Sequence, residues 1–229
     1  MRIRSRKIHT RSTVRKAGKP LLGVLLLSLL CSAQTGKVES AGPLNDASVP
    51  DAVRQTLDSQ GYRLVLDNGT PLELWFRKTI PSQPQKDSAD VIYTELPESA
   101  LVGVLHFTKP GGDFRGQQVP AGFYTLRYAL IPNDGNHLGV SPNRDFLLLV
   151  PTASDSDPDA AFKFDQLVEL SRKATGTRHP GPLSLVQPSG KEPKLSKNDQ
   201  DQWIFSATIK LATGEDLPFG LVVNGTAQQ

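Results

Sequence analysis

The loop "NDGNHLGVSPNRD" at residues 133–145 holds the side chains in this chain best suited to bind a cation. Together with a histidine of a later loop, the candidate ligands are Asp134, Asn136, His137, Asp145 and His179. Oxygen and imidazole ligands on loops are typical of metal sites. The spacing matches no established cation loop, because residues 138–143 lack the alternating acids and the final glutamate of the calcium-binding pattern. We therefore expect residues 133–144 to form an exposed connection in which Asp, Asn and Gly serve the turn and Asp145 or Arg144 caps a strand end, with no bound metal or other cofactor.

Signatures of enzyme chemistry are absent from the sequence. It contains no Gly-x-Ser-x-Gly, Ser-x-x-Lys, His-Glu-x-x-His, Gly-x-x-x-x-Gly-Lys or Gly-x-Gly-x-x-Gly run. His106 lies inside the strand-like stretch "LVGVLHFT", where we expect a packed, hydrogen-bonded imidazole rather than a ligand. The single cysteine, Cys31, lies near the N-terminus. A hydrolytic or metal-dependent enzyme using loop His and Asp residues is kept as the alternative to a binding protein.

Residues 1–33 have the three-part order of a secretory signal peptide: a basic stretch, the apolar run "LLGVLLLSLL" and the small-residue segment "CSA". The apolar run has about ten residues, against the roughly 20 of a membrane-spanning helix. Cleavage after Ala33 satisfies the small-x-small rule and removes Cys31. The alternatives are an uncleaved anchor or a lipid on Cys31. We expect a periplasmic or extracellular protein that meets the membrane only through this segment.

The charge of the mature chain differs from that of the precursor. Eight of the 26 basic residues and none of the 23 acidic residues lie in the signal segment, which leaves 18 basic and 23 acidic residues and a net charge of about −5. The sequence pI near 9.0 therefore belongs to the precursor. Because nucleic-acid binding needs a basic patch on the folded domain, we expect no nucleic-acid partner.

The rest of the chain divides into a predicted flexible linker, residues 34–49, and one predicted domain, residues 50–229. Period-two alternation predicts strands over residues 62–76 (a hairpin turning at Asn68-Gly69), 91–96, 101–108, 122–131, 146–150, 183–186, 202–211 and 217–223. Two helices are predicted, over residues 50–59 and 160–174, the second capped by the acidic turn at 155–159. These elements predict an antiparallel β-sandwich, immunoglobulin-like or jelly-roll-like, with two short helices.

The alternation also predicts which side chains are buried. Over residues 122–131 one face is apolar, and the face of Thr125, Arg127 and Ala129 is expected to be wetter. The predicted core comprises Tyr124, Leu126, Tyr128, Leu130, Leu147, Leu149, Phe205 and Ile209. Aromatic side chains on a sandwich face could stack on sugar rings, but alternation favours packing in the core for Tyr62, Trp75, Phe76 and Trp203.

The stretches "GGDFRGQQVPAGFYTLRYALIP" and "NHLGVSPNRDFLLLVP" resemble the hairpin core of secreted bacterial β-sandwich proteins of unknown function, which share a Val-Pro-Ala-Gly-x-Tyr-(Thr/Ser)-Leu run. The resemblance spans residues 101–151. It implies the fold and export, and it implies no catalytic residue. We therefore expect a non-enzymatic binding or interaction module of the bacterial cell envelope, with an envelope protein or a carbohydrate as partner.

Overall fold

The computed structural model describes residues 36–67, 71–132 and 141–227. The strands in these ranges are β1 (Lys37–Ser40), β2 (Tyr62–Val65), β3 (Pro71–Phe76), β4 (Leu101–Phe107), β5 (Gly111–Gly112), β6 (Gln118–Val119), β7 (Gly122–Leu130), β8 (Asp145–Pro151), β9 (Pro182–Val186), β10 (Lys194–Lys197), β11 (Trp203–Lys210) and β12 (Asp216–Asn224). The helices are α1 (Asp51–Thr56) and α2 (Phe164–Thr175), and a 3-10 turn covers Thr152–Ser154. The mainly-β class with two helices is confirmed.

Ten strands form one antiparallel sheet in the order β1-β2-β3-β4-β7-β8-β9-β12-β11-β10, and β5 pairs with β6 separately. A single sheet results because β9 pairs with β8 on one side and with β12 on the other. Its first and last strands lie close together: a Cβ built on Gly36, next to β1, would come within 2.5 Å of Leu195 in β10. The sheet thus curls into a nearly closed barrel, where the sequence predicts two separate facing sheets.

The barrel interior contains the apolar face of each long strand. Phe76 and Phe205 stack with ring centroids 6.2 Å apart, and Phe219 lies 4.8 Å from the ring of Tyr93. Of the eight predicted core residues, seven are buried, and Leu130 at the end of β7 is half-buried. Trp75, Phe76 and Trp203 are buried as well, which confirms core packing for these three aromatics, whereas Tyr62 is half-buried.

The second face of β7 is buried too, so the prediction of a wetter side is wrong. Helix α2 and the segment between β8 and α2 cover this face, and Thr125 and Arg127 are shielded from solvent beneath them. The apolar side chains of this layer are Ala129, Ile131, Phe146, Leu148, Val150, Leu167 and Val168. The alternation of apolar and polar residues along β7 indicates one apolar face. It cannot show that another segment of the chain covers the opposite face.

Residues 36–49, predicted as a flexible linker, are folded. They contribute β1 and the buried Leu44 and Val49, which pack on the outer side of β3 and β4 with Val53 and Trp75. Helix α1 begins at Asp51 with Pro50 as its N-cap residue, one residue later than predicted. It ends at Thr56, earlier than predicted, because the next residue is extended and forms a bridge with β3's continuation at Arg77.

Two further local predictions differ from the structure. Residues 91–96 form turns instead of a strand. Helix α2 begins at Phe164 with Lys163 at its N-cap, so the acidic turn at 155–159 does not cap it. The predicted Asn68-Gly69 turn and the predicted signal segment lie outside the described residues. Within the part of the chain that the structure describes, no helix is long and apolar enough to cross a membrane.

Candidate functional site: a groove across one end of the barrel

Three clefts adjoin one another where β3 and β11 end and where β2 and β12 begin. We call the row of three clefts the end groove. The first cleft, about 690 Å³, lies between residues 82–85 and the β11–β12 turn. It shares Asp216 with a central cleft of about 360 Å³. The central cleft shares Asp58 and Lys78 with a third cleft of about 390 Å³ beside α1. Together they form a row of adjoining clefts across the barrel end.

Backbone hydrogen bonds between distant segments hold the walls of the end groove. The Ile80 N–H donates to the Lys210 carbonyl at 2.8 Å, and the Ala212 N–H donates back to the Ile80 carbonyl at 2.8 Å. On the other side, the Lys78 N–H donates to the carbonyl of Thr56 at the end of α1, also at 2.8 Å. The groove is therefore built on fixed backbone rather than on free loops.

Tyr62 lies in the middle of the end groove. Its ring packs against Phe205, with centroids 5.1 Å apart, and meets Phe76 edge-on at 6.0 Å, so its plane is fixed. Burial raises the pKa of Tyr62, and the nearby Asp58 carboxylate raises it further. Its hydroxyl forms no hydrogen bond with any described residue. The centre of the groove thus offers a half-buried ring and a neutral phenol that can both donate and accept.

Charges of both signs line the end groove. Its acidic residues are Asp51, Asp58, Glu95, Glu215 and Asp216, and its basic residues are Arg54, Arg77, Lys78 and Lys210. Several are already paired: Lys210 lies 3.1 Å from Asp216, Arg54 pairs with Asp51, and Arg77 lies 2.6 Å from Asp159 outside the groove. This near balance gives no strong preference for a cation or an anion.

The candidate metal ligands that the structure describes, Asp145 and His179, do not lie together. Asp134, Asn136 and His137 lie outside the described residues, so the prediction for their loop stays a prediction. The β8–β9 register places Asp145 at the start of β8 and His179 beyond its far end, about 20 Å away at the usual rise per residue. Across the described ranges, no three His, Cys, Asp or Glu side chains are grouped to hold a metal.

Asp145 instead holds the irregular segment 91–96 against the barrel. Its Oδ2 accepts hydrogen bonds from the N–H groups of Ile92 and Tyr93, at 3.0 and 2.8 Å. Oδ1 is buried without a hydrogen-bond partner among the described residues. Burial raises the pKa of this carboxyl, while the two N–H groups act in the opposite direction. The sequence suggested a strand-end cap, and the structure shows a buried acid that holds a second segment.

His106 belongs to a row of side chains on the outer face of the sheet. Its Nδ1 lies 2.9 Å from Glu73 Oε2, Arg63 Nη1 lies 3.0 Å from Glu73 Oε1, and the imidazole stacks on Phe123 at 4.0 Å. A carboxylate that orients an imidazole is one part of a catalytic triad. The other part is missing here, because no described hydroxyl or thiol hydrogen-bonds to the ring. The expectation of a packed, hydrogen-bonded histidine is confirmed.

The sequence did not predict the most enclosed ionic contact among the described residues. Arg127 Nε and Nη2 donate to the two carboxylate oxygens of Asp155, at 2.8 and 2.7 Å, and both side chains are almost fully buried. The Thr125 hydroxyl donates to the same carboxylate at 2.6 Å. Arg127 also donates to the carbonyls of Ser99, Asp157, Pro158 and Ala160. The pair therefore pins residues 155–160 to the sheet.

The only sequence signal for this contact is an arginine within the apolar alternation of β7. The acidic partner lies 28 residues away in a turn whose composition equally suits a helix cap. Its role is structural, since the carboxylate and guanidinium are enclosed and fully engaged with each other and with backbone carbonyls.

Comparison with known proteins gives no match: no family model, no curated protein and no solved structure matches this chain. The end groove and the buried polar contacts are therefore interpreted from their own geometry.

Proposed function

We propose that this protein is a non-enzymatic binding module of the bacterial cell envelope and that its ligand occupies the end groove. The observation that carries the proposal is the row of three adjoining clefts, which share lining residues. Ligand sites are typically concave, largely preformed and about 300–1,000 Å³ in volume, and each cleft falls in that range. A hydrolytic or metal-dependent mechanism has less support, because His106 is stacked on Phe123 and the buried Asp145 and Asp155 hold neighbouring segments to the sheet.

The place of action follows from the signal segment. We propose export and cleavage after Ala33, which leaves Gln34 as the first residue. The position of β1 supports this cut, since the strand begins at Lys37 and the cut leaves it intact. Intact-mass measurement of the exported protein should give the mass of residues 34–229. A lipid on Cys31 or retention of Met1 would contradict the proposed processing.

We also propose kinship with the secreted bacterial β-sandwich proteins that the sequence resembles. The resembling stretches supply β7 and β8, which pair along their length in register from Tyr124–Pro151 to Leu130–Asp145. In this view the two halves of the sheet, joined through β9, correspond to the facing sheets of a sandwich. Phe76 of β3 and Phe219 of β12 meet edge-on at 5.8 Å across the core, which supports such a description.

Blocking the end groove tests the proposed function. Gln60 is exposed in the central cleft, so Gln60→Trp should fill it without disturbing the core. The matched control is Gln187→Trp, because Gln187 is exposed in a separate cleft. We would titrate isotope-labelled residues 34–229 with a panel of soluble oligosaccharides and short peptides and follow backbone amide shifts.

We expect at least one probe to shift amides around the end groove. Gln60→Trp should abolish these shifts, and Gln187→Trp should leave them unchanged. Shifts that cluster elsewhere, shifts that survive Gln60→Trp, or no shifts with any probe would contradict a ligand site in the groove.

A further inference from the structure

We infer that the end groove takes an uncharged oligosaccharide and that one sugar ring stacks on Tyr62. This inference rests on the proposed function, because it names the ligand class of the same groove. Three features of the groove carry it: its length, its aromatic centre and its balance of charge.

The length of the end groove favours a chain of linked rings over a single small molecule. Each of the three clefts alone has the volume of a small-ligand site, and shared residues join them end to end. A ligand with repeating units can occupy all three at once. Longer oligomers should therefore bind more tightly than a dimer of the same sugar.

The centre of the end groove suits a sugar ring. Pyranose rings present a flat, partly apolar face of C–H groups and an edge of hydroxyls, and a half-buried tyrosine matches both with its ring and its phenol. Phe76 and Phe205 hold the Tyr62 ring, and the part of this half-buried side chain that lines the central cleft is the part that a sugar ring would contact. Fixed aromatic rings bind with little loss of conformational entropy.

The polar lining of the end groove favours hydroxyls over ions. Asp58, Gln60 and Thr208 line the central cleft with an acceptor, an amide and a hydroxyl. Sugar hydroxyls donate and accept, so they can bond to all three. A strongly charged ligand would attract one half of the ionic lining and repel the other, since acids and bases are interspersed along the groove.

A peptide fits this groove less well. Peptides bind commonly by adding a strand to a sheet edge or by placing apolar side chains in pockets. The end groove crosses the ends of strands, not an edge. Among the leucine and isoleucine residues that line it, Leu57, Ile209 and Leu211 are only 2–3% exposed, so an apolar anchor of a peptide would contact mainly the half-buried Leu217 in the first cleft.

Calorimetric titration with four defined probes tests the inference. The probes are an N-acetylglucosamine hexamer, a glucose hexamer, a negatively charged uronic-acid hexamer and an uncharged hexapeptide. We expect one of the two neutral hexamers to bind, and to bind at least about tenfold more tightly than its dimer. Tyr62→Ala should lose at least about tenfold in affinity, whereas Tyr62→Phe keeps the ring and should lose only a few-fold.

The outcomes separate this inference from the proposed function. Groove binding by the hexapeptide alone, or by the uronic-acid hexamer alone, would overturn the uncharged oligosaccharide and leave the binding module standing. Binding of a neutral hexamer that Tyr62→Ala leaves unchanged would overturn the stacking role. If Tyr62→Ala unfolds the chain, Gln60→Trp takes its place, and full affinity in that variant would overturn the groove. No binding by any probe would contradict both proposals.

Discussion

Removal of the Asp155 carboxylate should destabilise the protein far more than removal of a neighbouring exposed carboxylate. The Arg127 and Asp155 side chains are 1% and 0% exposed, so Asp155→Ala leaves a guanidinium charge buried without its counter-ion. It also removes the acceptor of the Thr125 hydroxyl. Breaking a buried ion pair from one side typically costs about 3–5 kcal/mol. Since domains are stable by only about 5–15 kcal/mol, we expect a large but measurable loss.

Urea denaturation followed by tryptophan fluorescence measures this loss, because Trp75 and Trp203 are both buried in the folded state. The matched control is Asp159→Ala in the same acidic turn. Asp159 lies 2.6 Å from Arg77 but is 71% exposed, and exposed pairs contribute about 0–1 kcal/mol. A loss below about 1 kcal/mol for Asp155→Ala, or equal losses for the two variants, would refute the reasoning.

A double variant separates the charge from the rest of the contact. Arg127→Met combined with Asp155→Leu leaves no buried charge, and replacing both partners of a buried pair by apolar residues is often tolerated. The double variant should regain only part of the stability lost in the single variants, because the carbonyls that accept hydrogen bonds from Arg127 lose their donor. The loss of stability in the double variant should therefore be smaller than the sum of the losses measured for Arg127→Met and Asp155→Leu separately. Simple additivity would show that the two side chains do not act as a pair.

Further variants test the core, the backbone and the buried acid. Leu126→Ala should cost about 2–5 kcal/mol in urea denaturation, because Leu126 is fully buried, and a loss below about 1 kcal/mol would contradict its place in the core. Gly103→Ala should cost about 1–3 kcal/mol, since its Cβ would lie 2.3 Å from a backbone oxygen of β3, whereas Gly190→Ala, with no atom within 4 Å, should cost far less; equal costs would refute the close approach. Burial raises the pKa of Asp145, so its charge costs nothing below the unfolded pKa of about 4 and destabilises as the pH rises through the folded pKa. The free energy of unfolding of Asp145→Asn, relative to that of the unsubstituted protein, should therefore be higher at pH 7 than at pH 4. The reverse order would contradict the raised pKa. Asp46→Asn should show the opposite trend, because hydrogen bonds from a neighbouring serine lower the pKa of Asp46 and their benefit is lost as the pH falls.

Local sequence patterns predicted most of the long strands and the side chains that face the barrel interior. The alternation over β7 and β11 placed Leu126 and Phe205 in the core, because side chains of a strand alternate between its two faces whatever the strand pairs with. The start of α1 was predicted to within one residue from equally local information, since Pro50, whose ring fixes φ, is tolerated at the beginning of a helix but not in its interior. The strand predicted over residues 91–96 is absent because the alternation there is also only a local pattern. These residues pair with no strand, and two of their N–H groups donate to Asp145 instead.

The end groove could not have been found from the sequence. Its walls join segments that are far apart in the chain, as in the bridge between Ile80 and Leu211. Tyr62 was recognised as one of four aromatic side chains in alternating runs. Only the packed structure separates it from the other three, because its exposure depends on how the ends of β3 and β11 meet around it.

The sequence by itself determined the mainly-β class, the antiparallel hairpins, the interior faces of the long strands and the absence of known catalytic signatures. Each depends on residues close together in the chain, where steric preference and period are decisive. Tertiary structure alone decided the joining of both halves into one sheet through β9, the burial of both faces of β7, the pairing of Arg127 with Asp155 and the end groove. These features arise when remote segments meet, and burial and ion pairing depend on the distance in space between groups that the sequence order does not specify.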